Sequence, residues 1–187
     1  CREFFEKTGI KFKSTWTPMS VAPIDMSDRS GDPVGNVTVE DKTPGKLRDV
    51  ARHYVYALAY AAQGTRPDFA TCVSVLETMI DSWFLVADKM LIRFFRYAWT
   101  TVDWVIIGIV STRDLNRVRP VISPDASLNV PRLGLRTRLG GIIHLIGKYT
   151  FFPVKWKSIA AKTKMTATVE AEGSALVMLT KDLSLIH

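Results

Sequence analysis

VDWVIIGIVST, residues 102–112, is where this chain changes character. Before it, apolar residues recur at helical spacing. Within it, β-branched and aromatic side chains run almost without interruption, which reads as a buried strand. Behind it lies TPGKLRDVARHYVYALAYAAQG, residues 43–64. Thr43 suits an N-cap, Pro44 the first helical position and Gly64 a left-handed stop. Leu47, Val50, Ala51, Tyr54, Val55, Leu58, Ala61 and Ala62 share one face of that helix, opposite Lys46, Arg48, Asp49, Arg52 and His53. A second helix is expected to start at Pro67–Asp68 and to carry Phe69, Cys72, Val73, Leu76, Ile80, Trp83, Phe84 and Ala87. It either continues to Tyr97 or breaks near Asp88–Lys89. Trp83, Trp99 and Trp104 are expected in the core.

Ahead of these helices, IKFKSTWT (10–17) has the alternation of a half-buried strand, 18–35 reads as a loop, and NVTVE (36–40) as a short strand. Beyond residue 112, the proline-rich segment 113–139 reads as a loop. GGIIHLIGKYTFF (140–152) reads as a strand ended by Pro153, and KMTATVEA and ALVMLTKDLSLI as a terminal hairpin about Glu172-Gly173-Ser174. The expected class is therefore α+β, with two N-terminal-half helices packed on a largely antiparallel sheet built mainly from the C-terminal half. The 187 residues fit one domain, with loops at 18–35 and 113–139.

Charge is unevenly placed. Residues 1–88 hold 10 Lys and Arg against 12 Asp and Glu, whereas residues 89–187 hold 15 against 6. Segment 113–164 carries eleven basic side chains and only Asp114 and Asp125 as acids. Such an asymmetry points to a polyanionic partner. Arg113, Arg117, Arg119, Arg132, Arg136, Arg138, Lys148, Lys155 and Lys157 are the candidate site for anionic lipid or nucleic acid. Arginine's planar fork grips phosphate oxygens in pairs. Segment 113–139 contains no aromatic residue to stack on bases, which favours sequence-tolerant electrostatic binding over base reading. Tyr149 and Trp156 lie among lysines, but core packing is the plainer reading of both.

Catalytic and metal motifs are missing. His53, His144 and His187 stand apart, without a second ligand at zinc spacing, and no glycine-rich phosphate loop leads into a helix. His53 lies four residues after Asp49, placed to share a hydrogen bond, yet no partner nucleophile is visible. We therefore expect no enzyme, no metal and no cofactor, and no small-molecule substrate is evident. The two cysteines cannot build a disulfide framework, so the expected setting is reducing and intracellular, with Cys72 a small buried hydrophobe. The apolar run 83–112 is interrupted by Asp88, Lys89, Arg93, Arg96 and Asp103, which argues against a membrane span, and no secretory signal is seen. Attachment peripheral to a membrane is the expectation.

Three segments together resemble the rhabdovirus matrix protein family. VTVEDKTPGKLRDVARHYVYALAYAAQGTRPDF resembles its order of short strand, long helix and a G-x-R-P turn into a second helix. LNVPRLGLRTRLGGIIHLIGKYTFF resembles the loop that enters a central strand, and TVEAEGSALVMLTKDLSLIH the closing hairpin. PPxY and P[TS]AP motifs are absent, as is the lysine-rich N-terminal arm of many members; a truncated start or a plant-virus member would account for both. The resemblance implies a non-enzymatic structural protein that self-associates, bridges viral ribonucleoprotein RNA to the inner face of an anionic membrane, and resides in the virion. The alternative is an accessory structural subunit of a large organellar or nucleoprotein complex.

Overall fold

Helix α1 (Arg2–Thr8) inserts Phe4 into the core, where its ring stacks on Phe95 at 3.9 Å and meets Tyr54 edge-on. Helix α2 (Arg48–Gly64) buries Ala51, Tyr54, Val55, Leu58 and Ala62 of the stripe predicted by its spacing, and Ala59 besides, while Val50 of that stripe is exposed and Leu47 and Ala61 are only partly buried. The computed structural model describes residues 1–19, 43–127, 137–163, 165 and 167–184. The expected NVTVE strand, most of the 18–35 loop, and Arg132 and Arg136 lie outside these residues.

The start of α2 departs from expectation. Pro44 forms an extended bridge to Phe84 instead of opening the helix, and no side chain of α2 itself caps its first N–H groups. Asp88 takes that role from a distant part of the chain. Its carboxylate accepts from the backbone N–H of Lys46 (2.6 Å) and Leu47 (3.2 Å) and from Trp83 Nε1 (2.6 Å). A carboxylate there satisfies orphan donors and sits at the positive end of the helix dipole. Gly45 permits the approach, because a β-carbon would stand 2.6 Å from the Trp83 ring and 2.7 Å from the carboxylate. Gly64 is the last helical residue, not a left-handed stop.

Pro67 opens a 3₁₀ turn that leads into α3 (Ala70–Glu77). The chain then leaves the helix well before the expected break at Asp88–Lys89, and α4 (Leu85–Thr100) begins behind the extended Phe84. Asp88 thus lies inside the first turn of α4, which is what lets it reach α2. Phe69, Cys72, Leu76, Leu91 and Phe94 join the same buried cluster. Arg66 ties the α2–α3 corner to the end of α4: its guanidinium grips Asp68 at 3.0 and 2.7 Å and donates to the Thr101 carbonyl at 3.0 Å. Residues 10–17 form no strand. They lie along α4, held by Thr15 N–H donating to Thr100 Oγ1 and Arg96 donating to the Lys11 carbonyl.

The C-terminal half supplies a three-stranded antiparallel sheet, β1 (Arg119–Ser127), β2 (Arg138–Ile146) and β3 (Phe151–Ala160), in the order β1-β2-β3. Strand β1 was hidden by Pro120 and Pro124, which an edge strand tolerates because it need not donate on its outer side. The expected single strand 140–152 is two strands joined at 147–150. Pro153 does not end β3 but falls at the register shift between Ile143 and His144, where one extra residue relieves the ladder.

The expected terminal hairpin is a helix, α5 (Thr168–Ser184). Ala171, Ala175, Leu179 and Asp182 recur at helical spacing and turn inward, whereas Gly173, read as a turn residue, stands on the open side. Leu139 packs with Ala171 and Ala175. Gly141, at φ 149°, lets α5 come close: a β-carbon would lie 2.4 Å from both Leu179 Cδ1 and the Ser123 carbonyl. Side chains alternate along β2 and β3, so the opposite face meets the N-terminal helices through Arg138 on Ser74 and Trp156 Nε1 on the Ala62 carbonyl. The class is α+β, with the sheet drawn from the C-terminal half and helices in both halves.

Segment 102–112 carries the largest correction. It is not a buried strand. Beyond Thr101 every residue to Val110 is exposed, Trp104 at 53 %, Ile107 at 72 % and Val110 at 68 %. Its backbone meets the sheet at a bridge in which Ile109 and Phe151 exchange hydrogen bonds at 2.8 and 2.9 Å. Strand-type composition sets an extended backbone here, but among the described residues neither a helix nor a fourth strand covers the side chains.

Candidate functional site

The nine predicted cations fall into three groups. Arg132 and Arg136 lie outside the described residues. Arg138, Lys155 and Lys157 are engaged within the fold. Arg138 is half-buried and donates to Ser74 Oγ; burial lowers its pKa from the ordinary arginine value, against the pull of Glu77 and Cys72. Lys155 and Lys157 point at Asp182 of α5, with ion-pair distances of 3.6 and 3.1 Å. The field of these three is directed inward.

Arg113, Arg117, Arg119 and Lys148 form the third group, and the fold brings them to one end of the sheet. Arg119 opens β1 opposite Ile146, the last residue of β2, while Lys148 sits in the turn that follows. Arg113 and Arg117 flank the short turn 112–117 that leads into β1. Asp114 locks this turn to the other. It is buried, its carboxylate accepts the Tyr149 N–H at 2.6 Å, and its own carbonyl accepts the Arg117 N–H at 2.8 Å. Gly147 makes room for it, since a β-carbon would stand 2.6 Å from the carboxylate. Ser111 N–H donates to Thr150 Oγ1 at 3.0 Å, a second tie between the turns.

Tyr149 therefore lies between two cations. Arg113 Cζ is 5.7 Å and Lys148 Nζ 5.1 Å from the ring centroid, within cation–π range. All four cations of this group are exposed, and none pairs with a carboxylate among the described residues. The tyrosine was expected in the core; it is exposed instead, as is Trp104. The missed apolar component is adjacent. Trp104, Val105, Ile106, Gly108 and Phe152 line an open hollow of about 460 Å³, and Phe151, bridged to Ile109, is exposed as well. One signal in the sequence pointed there: the apolar run ends directly on the arginines, whereas its lack of polar alternation favoured a buried strand.

A second hollow of about 530 Å³ lies between α2, α3 and β3, lined by Ala59, Val73, Ser74, Glu77 and Trp156 among others. Burial raises the Glu77 carboxyl, against Arg138, which lowers it. Ser74 faces a guanidinium, a group that cannot accept its proton. The Cys72 thiol is pushed up to about 12 by burial, against a small opposing pull from Arg138. His53 is exposed on α2, edge-on to Tyr54 at 5.2 Å, and no hydrogen bond joins it to Asp49 among the described residues. Among the described residues, no three His, Cys, Asp or Glu side chains gather as a metal ion would require, and no helix is long and apolar enough to cross a membrane. Comparison with protein-family models, with curated proteins and with solved structures finds no match for this chain.

Proposed function

We propose that this chain is a non-enzymatic, matrix-like assembly protein that self-associates and bridges ribonucleoprotein to an anionic membrane surface through the basic end of its C-terminal half. The observation that carries this reading is the gathering of Arg113, Arg117, Arg119 and Lys148 at one sheet end without a neutralising carboxylate among the described residues. Four outward cations favour phosphate-bearing surfaces, each basic group near an acidic bilayer adding about 1 kcal/mol. On RNA the same groups displace counterions, so binding weakens steeply with salt. Tyr149 lies within cation–π range of Arg113 and Lys148, which favours keeping their charge at the surface.

The test is sedimentation of the purified chain across salt concentrations, alone, with RNA, and with phosphatidylserine vesicles. The reading predicts concentration-dependent oligomers and co-sedimentation that is lost at high salt and in Arg113→Glu/Arg117→Glu/Lys148→Glu. A chain that remains monomeric and binds neither polyanion contradicts it and favours an accessory subunit of a larger complex.

A further inference from the structure

From the apolar segment beside those cations we infer that residues 104–110, together with Phe151 and Phe152, form an insertion face that enters the boundary between headgroups and acyl chains of an anionic bilayer. The inference rests on the proposed membrane role and names the surface and its occupant. Electrostatic attraction alone calls for no exposed apolar residues, yet this sheet end carries them on both sides of an extended edge segment. Gly108 lies against the Phe152 ring, Ile109 is bridged to Phe151, and Trp104 lines the same hollow as Phe152. An exposed apolar surface of this kind marks an interaction site.

Charge decides the occupant. Arg113 directly follows the apolar segment and lies with Lys148 against Tyr149, and Asp103 is the one acid within residues 102–113. An apolar protein partner would require no cationic border, whereas a bilayer presents acyl chains beneath a layer of anionic headgroups. Aromatic residues with polar edges, here Trp104 and Tyr149, suit the headgroup depth. The face is also held in shape before binding. Arg66 fixes Thr101, where the segment leaves α4, and Asp114 fixes the turn beyond it to Tyr149. Little ordering is therefore left to be done at the membrane.

The experiment is flotation of the full chain with phosphatidylcholine vesicles, with and without phosphatidylserine, at low and high salt. Ile107→Asp/Val110→Asp tests the apolar face and Arg113→Glu/Lys148→Glu its border; thermal melts confirm that each variant folds. The expected result is phosphatidylserine-dependent binding that keeps a salt-resistant fraction, with the apolar pair at least tenfold weaker even at low salt. Wild-type affinity in the apolar pair, with loss only in the charge pair, overturns the insertion face and leaves the electrostatic reading standing. Absence of vesicle binding by the wild type overturns both. Dimers abolished by Ile107→Asp/Val110→Asp, without vesicle binding, overturn the bilayer in favour of a second copy. Should a variant misfold, quenching of tryptophan emission by brominated lipid, compared between the unsubstituted chain and Trp104→Phe, decides the question: loss of quenching in Trp104→Phe supports the insertion face and unchanged quenching overturns it.

Discussion

Two apolar runs stand almost end to end in this chain and meet opposite fates. Helix α4 buries Leu91 and Phe94 completely, and Trp83 just before it is 2 % exposed. Residues 102–110 are as apolar, yet Ile107 is 72 % exposed. Hydrophobicity does not separate them; periodicity and partners do. The α4 residues fall on one stripe, and α1, α2 and α3 present stripes of their own to meet it. The second run is extended, so its side chains alternate to both sides, and few described residues approach it, among them Phe151, Phe152 and, at Trp104, Tyr97. Burial in the first run builds the fold. Exposure in the second leaves an apolar surface at the sheet end.

Substitutions can break this contrast at several strengths. Phe94→Ala removes a fully buried ring from the helical cluster and should cost about 3–5 kcal/mol in denaturant unfolding. Asp88→Ala leaves Trp83 Nε1 and the start of α2 without their acceptor, an expected loss of about 2–3 kcal/mol. Asp68 gives a pH-dependent contrast. Burial pushes its carboxyl up, but the hydrogen bonds from Arg66 and Tyr97 outweigh this and hold it below its ordinary value of 3.8. Its contribution is complete above that value and is lost as pH falls through the lower folded one. Asp68→Asn should therefore flatten the acid limb of a stability–pH profile measured by melting. Ile107→Ser should shift stability least, within about 0.5 kcal/mol, because nothing packs on it. A large loss there would mean that the exposed run belongs to the core after all.

The sequence made one layer legible and concealed the other. The α2 stripe was readable because its residues bury against equally periodic neighbours. The remote cap was not, since Asp88 is separated from Lys46 by a whole helix pair and only the fold brings them together. In the C-terminal half, local punctuation misled. Pro120 and Pro124 suggested a loop where an edge strand tolerates them, and Gly173 suggested a turn on the open face of a helix. The small residues Ala171 and Ala175, which pack α5 on the sheet, carry little hydrophobic signal. The same held at the candidate site. Positive charge was plain in composition, but which cations face outward depends on Asp182 and Ser74, residues far along the chain. That helix also replaces the hairpin on which part of the matrix resemblance was drawn. The proposed role accordingly rests on the basic sheet end and its apolar neighbour.

The most direct measurement is quenching of tryptophan emission by brominated lipid in phosphatidylserine-containing vesicles, comparing the wild-type chain with Trp104→Phe. If residues 104–110 enter the bilayer, the wild type is quenched at low salt, retains part of that quenching at high salt, and loses most of it in Trp104→Phe. Quenching that is absent, or unchanged when Trp104 is replaced, would contradict an insertion face at this end of the sheet.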